Sequence, residues 1–412
     1  MTKPEISSDL PMVKDPTRAQ SENIQTVVSR MESGRIVIPD YQRDAEQWDA
    51  RKESLFIESL LNNLTIPAFF FAEQEAGKIE VVDGQQRLST ILKFKNEKLT
   101  LSNDEEMVYL TPQSAQYRNK NYKQIPEPLR NVFDDYPLTI IYLPKNLALS
   151  AKLEIFRRIN EGGTPLSPQD IRLSYYSESQ SVTFIRLAGI YSDTDAAKRM
   201  LSTATKHGIE NPWKDHVKAH ELWSDWWADT VKAKGQTPSE MFLWYLVQRH
   251  RENINALVST PDTMKHLPLG FRGTSEEVLD IFCAQLLHSD KTGGKTKILP
   301  THGKPLEKEF DNFIQWIEFI LGHGLTGMGV DKYKQMALFI GAAVELKLKP
   351  QSLTDDQWDA ISEFIRTPRH SGAKWLKKVG YPEPKGRWGG DKGQKAQCDS
   401  TIKLISEIVK AG

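Results

Sequence analysis

The hydrophobic pattern of this chain changes period near residue 148, and that change limits the fold more than any other feature. Before it, short runs of β-branched and aromatic residues, Ile36–Ile38, Ala68–Phe71, Ile79–Val82 and Leu138–Leu143, are bounded by turn residues and alternate with helical stretches. After it, apolar residues recur at helical spacing in Ala151–Ile159, Glu221–Trp227, Met241–Arg249, Glu277–Leu287, Phe310–Leu321, Tyr333–Leu346, Asp356–Ile365 and Thr401–Val409. The expected class is α+β: a mixed α/β N-terminal domain followed by an all-α C-terminal domain. At 412 residues the length suits two or three domains. Polar, proline-bearing residues 1–20 read as a flexible arm, 21–180 as the α/β domain and 181–412 as the helical domain. Pro/Gly/Ser-rich loops are expected at 258–275, 288–305 and 366–396.

Composition removes several classes. Lys+Arg and Asp+Glu are equal at 54 each, so any contact with nucleic acid must come from a local basic patch rather than a global field. Cys283 and Cys398 stand far apart without CxxC spacing, which excludes a disulfide framework and the usual thiolate zinc site, and fits a reducing cytoplasm. The first residues carry acids and prolines where a signal peptide needs an apolar stretch, and the longest apolar run, Met336 to Val344, is about half a membrane span. A soluble, cytoplasmic protein is expected, with no membrane partner.

Three motifs carry candidate chemistry. In Ile79-Glu-Val-Val-Asp83-Gly84-Gln85-Gln86-Arg87-Leu-Ser-Thr90 a strand meets a helix at a glycine turn. Helix-start N–H groups and the positive end of the helix dipole attract anions, glycine lets a phosphate approach the backbone, and Arg87 can fork onto its oxygens. Asp83 can hold Mg²⁺ or orient a water. The plain alternative is an ordinary Asp-Gly turn with a solvated first helical turn.

In Val37-Ile-Pro39-Asp40-Tyr41-Gln42-Arg43 a strand end delivers a second arginine, suited to clamping a polyphosphate from the other side; otherwise Arg43 pairs with Asp44, Glu46 or Asp49. In Phe156 to Arg172, Asn-Glu-Gly-Gly ends one helix and a Ser167/Asp170 capping box, with Pro168 in the first turn, starts the next. Capping does not account for Arg157 and Asn160, which stand beside the glycine pair and can complete a pocket.

In order and spacing these motifs resemble the N-terminal domain of the GmrSD Type IV restriction enzymes. The family pattern (I/V)PxYQR, W, S(L/I)L, IP, DGQQRL(S/T)T and FxRxNxGGTPLSxQ(D/E)IR reads here as Val37–Arg43, Trp48, Ser59-Leu60-Leu61, Ile66-Pro67, Val82–Thr90 and Phe156–Arg172. The resemblance covers roughly residues 25–180. It implies a ParB/sulfiredoxin-like core, nucleoside-triphosphate hydrolysis and a place in bacterial defence against phage or modified DNA. On this basis Pro39, Tyr41, Gln42, Arg43, Gly84, Thr90, Arg157 and Asn160 are expected to bind nucleotide, and Asp83, Gln85, Gln86 and Arg87 to act in catalysis, with Mg²⁺ or Mn²⁺ at Asp83.

The chain departs from larger members of that family, which often carry a C-terminal HNH nuclease with closely spaced His, Asn and His. All nine histidines lie after residue 200, yet His266-Leu-Pro268 lacks the downstream partners, and His216/His220 form HxxxH without a zinc-protease Glu. With no His or Cys before residue 200, hydrolysis in the first domain must run on Asp, Glu, Gln, Arg and metal, which suits phosphoryl transfer. Gly293-Gly294-Lys295-Thr296 ends like a P-loop but follows a helix rather than a strand. Trp223, Trp226 and Trp227 have the spacing of a packed helix face, the alternative being an aromatic cage for a modified base.

In Arg366–Lys395 nine Lys/Arg face only Glu383 and Asp391, interleaved with Trp375, Tyr381 and Trp388. Basic groups for phosphates beside rings for bases make Lys374, Trp375, Lys377, Lys378, Arg387 and Trp388 candidate DNA contacts, unless the segment is a solvated basic loop. The expected function is a Mg²⁺-dependent nucleoside-triphosphatase whose nucleotide state is coupled to DNA or to a separate effector protein. The rivals are a nucleotide- or DNA-binding sensor without turnover, and a carboxylate-dependent DNA nuclease.

Overall fold

The computed structural model describes residues 16–38, 48–73, 77–103, 114–144, 155, 168–231, 237–253, 275–293, 299–322, 333–366 and 391–411. The chain divides into two compact units, Met1–Pro165 and Leu166–Gly412, the division falling ahead of the 180 expected.

The first unit is built on a mixed sheet of β1 (Arg18–Asn23), β2 (Ile36–Val37), β3 (Phe69–Glu73), β4 (Ile79–Asp83) and β5 (Pro137–Leu143), in the spatial order β1-β5-β3-β4-β2. β1–β5 and β3–β4 pair antiparallel; β3–β5 and β2–β4 pair parallel. Helices α1 (Ile24–Glu32), α2 (Ala50–Leu61), α3 (Gln85–Lys95) and α4 (Glu127–Asp135) pack among themselves and share one core with the sheet. Local signals start two of them. Asn23 caps α1, accepting from Thr26 N at 3.0 Å, and Asp49 caps α2, accepting from Lys52 N at 2.7 Å. Phe69 and Phe71 of β3, Ile140 of β5 and Phe94 of α3 are wholly buried in that core, each contributing about 1.5–3 kcal/mol by leaving water.

The four strand runs read from sequence are all present. β1 is an addition: Arg18–Gln20 fell in the expected arm. Four of its six residues are exposed and none is apolar but Ala19, so it carries no apolar alternation, and its order comes from the ladder with β5.

The second unit is helical: α5 (Pro168–Tyr175), α6 (Gln180–Ala188), α7 (Asp195–Lys206), α8 (Val217–Asp225), α9 (Thr237–Arg249), α10 (Ser275–Lys291), α11 (Lys304–Gly322), α12 (Tyr333–Glu345), α13 (Asp355–Arg366) and α14 (Asp391–Ala411) are its α-helices among the described residues. α9 is buried without interruption from Pro238 to Gln248, the mark of a helix apolar all round that forms the middle of a domain. It meets α12 at Gly341, where a β-carbon would lie 2.5 Å from Gln248 Cγ, so only glycine allows that approach. Trp223, Trp226 and Trp227 are packed in the core at 0–2% exposure, as their spacing indicated. They straddle a change from α8 to a π-helical turn, Trp226–Val231. α10 runs to Lys291, consistent with rejecting the P-loop reading beside it. α14 begins at Asp391, so the end of the expected 366–396 loop is helix. The expected helix over 151–159 lies outside the described residues except Ile155.

Candidate functional site

β4 ends at Asp83 and α3 begins at Gln85, so the chain reverses direction on Gly84 alone. Gly84 has φ +96°, a left-handed conformation that side-chain-bearing residues resist, and a β-carbon there would collide with the Phe69 ring. Just before the turn the β3–β4 ladder slips: Phe71 lies opposite Val81, but Phe70 lies opposite Asp83. Such a bulge re-aims the side chains that follow it. Gly84 offers no side chain to cap α3, which leaves the first-turn N–H groups without intrahelical acceptors. Gln85 and Gln86, both half-buried, flank that opening.

Arg87 points the other way from the expected one. Sequence reasoning aimed it at a phosphate bound at the turn or, in the plain alternative, at solvent; the structure buries it to 9% exposure. Its Nη2 donates to Asp83 Oδ2 at 2.8 Å and to Ala68 O at 3.2 Å, Nη1 donates to Pro67 O, and the guanidinium lies 4.5 Å from the Phe69 ring centroid. The physical reason is the short approach to β3: Pro67 and Ala68 present carbonyls that no ladder partner satisfies, and a fork-shaped cation answers both while neutralising Asp83. Burial lowers the Arg87 pKa and Asp83 pulls it back up; the group stays charged. Arg87 therefore braces the turn to the start of β3.

This changes what Asp83 can do. One carboxylate oxygen is committed to Arg87, and Oδ1 has no hydrogen-bond partner among the described residues. A magnesium ion that keeps its waters and substrate oxygens needs one or two carboxylates, so Oδ1 fits a single-carboxylate role. No group of three His, Cys, Asp or Glu side chains converges on a metal position among the described residues. Thr90, one turn beyond Arg87 on α3, is 1% exposed and its Oγ1 is unpartnered among the described residues. Pro39, Tyr41, Gln42, Arg43, Arg157, Asn160 and Ser167 lie outside the described residues, as do Lys374, Trp375, Lys377, Lys378, Arg387 and Trp388.

The end of the third motif has a role that sequence reasoning passed over. Arg172, fully buried on α5, donates from Nε to Asp280 Oδ1 of α10 at 2.9 Å and from Nη1 to Gln169 Oε1, while Gln169 Nε2 donates to Ser239 Oγ at 2.8 Å. These residues fasten α5 into the helical unit. The visible signal was a Gln and an Arg at i, i+3, on one face of the first turns of that helix. The HxxxH pair serves packing: His220 bonds Ile190 O at 3.1 Å, and His216 meets Asp311 at 3.0 Å.

Neither the curated proteins nor the solved structures contain a match to the chain. Residues 24–177 match the family described as GmrSD restriction endonuclease, N-terminal domain. That span takes in the whole of the Gly84 turn, the strands that frame it and the helix carrying Arg172. Residues 24–177 of this chain are therefore a GmrSD-type N-terminal domain.

Proposed function

We propose that the first unit binds a nucleoside triphosphate at the Gly84 turn and hydrolyses it with Mg²⁺, within a restriction or phage-defence system, and that nucleotide state is relayed to DNA or to an effector protein. The observation that carries this reading is the uncapped start of α3 behind a left-handed glycine, flanked by Gln85 and Gln86. The N–H groups of that first turn are the phosphate donors. Gln85 and Gln86 orient the γ-phosphate or the attacking water, and Asp83 Oδ1 offers one oxygen to the cation, which supplies charge neutralisation when bound. Arg87 keeps the turn in place. Arg43, with Pro39, Tyr41, Gln42, Arg157 and Asn160, supplies the outer phosphate and base contacts. The restriction setting rests on the family of residues 24–177.

A second reading, binding without turnover, is favoured by the Asp83–Arg87 ion pair, which already occupies one of the carboxylate oxygens a catalytic cation would use. Incubating the pure chain with a panel of nucleoside triphosphates and Mg²⁺, with and without DNA, and scoring phosphate release separates the two. Turnover supports the enzyme; saturable binding with no released phosphate supports the sensor. For the DNA arm, neutralising Lys374, Lys377, Lys378 and Arg387 together is expected to flatten the salt dependence of DNA binding, by about 0.9 in log–log slope for each duplex phosphate no longer neutralised.

A further inference from the structure

An open groove of about 710 Å³ crosses the second unit between α11 and the turn after α12, a volume within the range of ligand clefts. Its floor is one stripe of α11: Asn312, Gln315 and Phe319 follow at i, i+3 and i+7 and share a face. Gln315 is exposed, Asn312 and Phe319 are half-buried, and Phe319 stacks on Trp358 with centroids 5.3 Å apart. The rim carries Lys218, Lys347 and Lys349 against the single acid Glu318, which pairs with Lys218 at 3.0 Å. Lys347 and Lys349 are exposed and make no ion pair among the described residues. Lys347 has φ +57° at the C-terminal stop of α12, where Lys347 N donates to Val344 O and Leu348 N to Ala343 O. Glycine is the residue that stop favours; a lysine there accepts backbone strain and puts an ammonium beside the groove.

We propose that this groove binds single-stranded nucleic acid. Lys347 and Lys349 hold backbone phosphates, and the α11 stripe receives bases, its amides bonding their edges beside an aromatic ring. A base offers a π-face and an edge bearing donors and acceptors together, which an aromatic-and-amide stripe complements. A carboxylate-rich peptide would engage the lysines alone. The proposal does not rest on the nucleotide reading, because every residue it uses belongs to the second unit and the Gly84 turn takes no part.

The test is fluorescence anisotropy of a labelled mixed-sequence 20-nucleotide DNA strand titrated with the full chain, without nucleotide or Mg²⁺, at several salt concentrations. K347A/K349A is expected to weaken binding at least tenfold at low salt and to reduce the log–log salt slope by about 1.4, at about 0.7 for each phosphate neutralised on a single strand. N312A/Q315A should weaken binding with the slope unchanged. K347G should raise the melting temperature while weakening binding, a combination that a purely structural lysine would not give. Variant isotherms that superimpose on wild type, or a wild type that does not bind the strand, would overturn the proposal. Tighter binding of a glutamate-rich peptide with the same lysine dependence would overturn it in favour of a protein partner.

Discussion

Gly84 sits so close to Phe69 that a β-carbon on it would lie 2.9 Å from Cε1 of the ring and closer still to Cδ1. The turn is thus fitted to β3 by shape as well as by backbone angle. Gly84→Ala is expected to destabilise the first unit by about 2–4 kcal/mol, combining left-handed strain with overpacking. Gly34→Ala is the comparison: φ is +69° there, but nothing lies within 4 Å of the added carbon, so its cost should stay near about 1–2 kcal/mol. Urea unfolding of the two variants measures the difference, and equal losses would show that the Phe69 approach contributes nothing.

Arg87→Ala should cost about 3 kcal/mol, because it strands Asp83 and the Pro67 and Ala68 carbonyls together. Lysine should restore little, since a single ammonium cannot reproduce the fork. A melting curve for Arg87→Ala that matches wild type would contradict the bracing role, and a loss of nucleotide binding in this variant is expected to follow the loss of structure.

Asp83→Asn separates the two functions assigned to that side chain. It keeps the turn N–H groups, so nucleotide affinity should hold while turnover falls, with about 1–2 kcal/mol of stability removed by the weakened tie to Arg87. Calorimetric affinity and phosphate release measured on the same preparation decide it. If affinity falls as far as turnover, Asp83 acts only through the fold.

In the second unit His250 is held neutral: burial, the largest influence, depresses its pKa to about 4, Glu309 at 4.0 Å pulls it up, and Arg249 pushes it further down. Between pH 6.5 and about 4 the unfolded chain takes up a proton that the folded chain refuses, so stability should fall as pH drops through that window. The loss attributable to this group is about 2–3 kcal/mol. His250→Gln should remove that part of the slope in urea unfolding followed from about pH 7 to pH 5. An unchanged slope would place the proton uptake elsewhere.

What could be read in the sequence follows what each residue needed. Ile79–Val82 and Leu138–Leu143 declare themselves as strands because burial demands β-branched and aromatic residues there. Arg18–Asn23 does not, because a largely exposed edge strand can be held by its backbone ladder without an apolar face. The DGQQR turn was visible as a strand, a glycine and a helix start. The aim of Arg87 was not, since its acceptors, Pro67 and Ala68, lie 20 and 19 residues upstream and nothing local brings them to the mouth of α3. For the same reason Arg172 could be seen at a helix start but not joined to Asp280, 108 residues away.

The strand order carries a consequence for how the first unit is made. β5 is last in the chain but sits between β1 and β3, so the N-terminal strand has no neighbour until residue 143 has been synthesised. A growing chain that has already formed the Gly84 turn would still hold β1 unpaired and one side of β3 open. Pairing across such long separations in sequence is slow and leaves strand edges exposed meanwhile. The span from Arg18 to Leu143 therefore acts as one folding decision, taken late, and a chain cut short of β5 would have every local signal for the turn and no completed sheet to hold it.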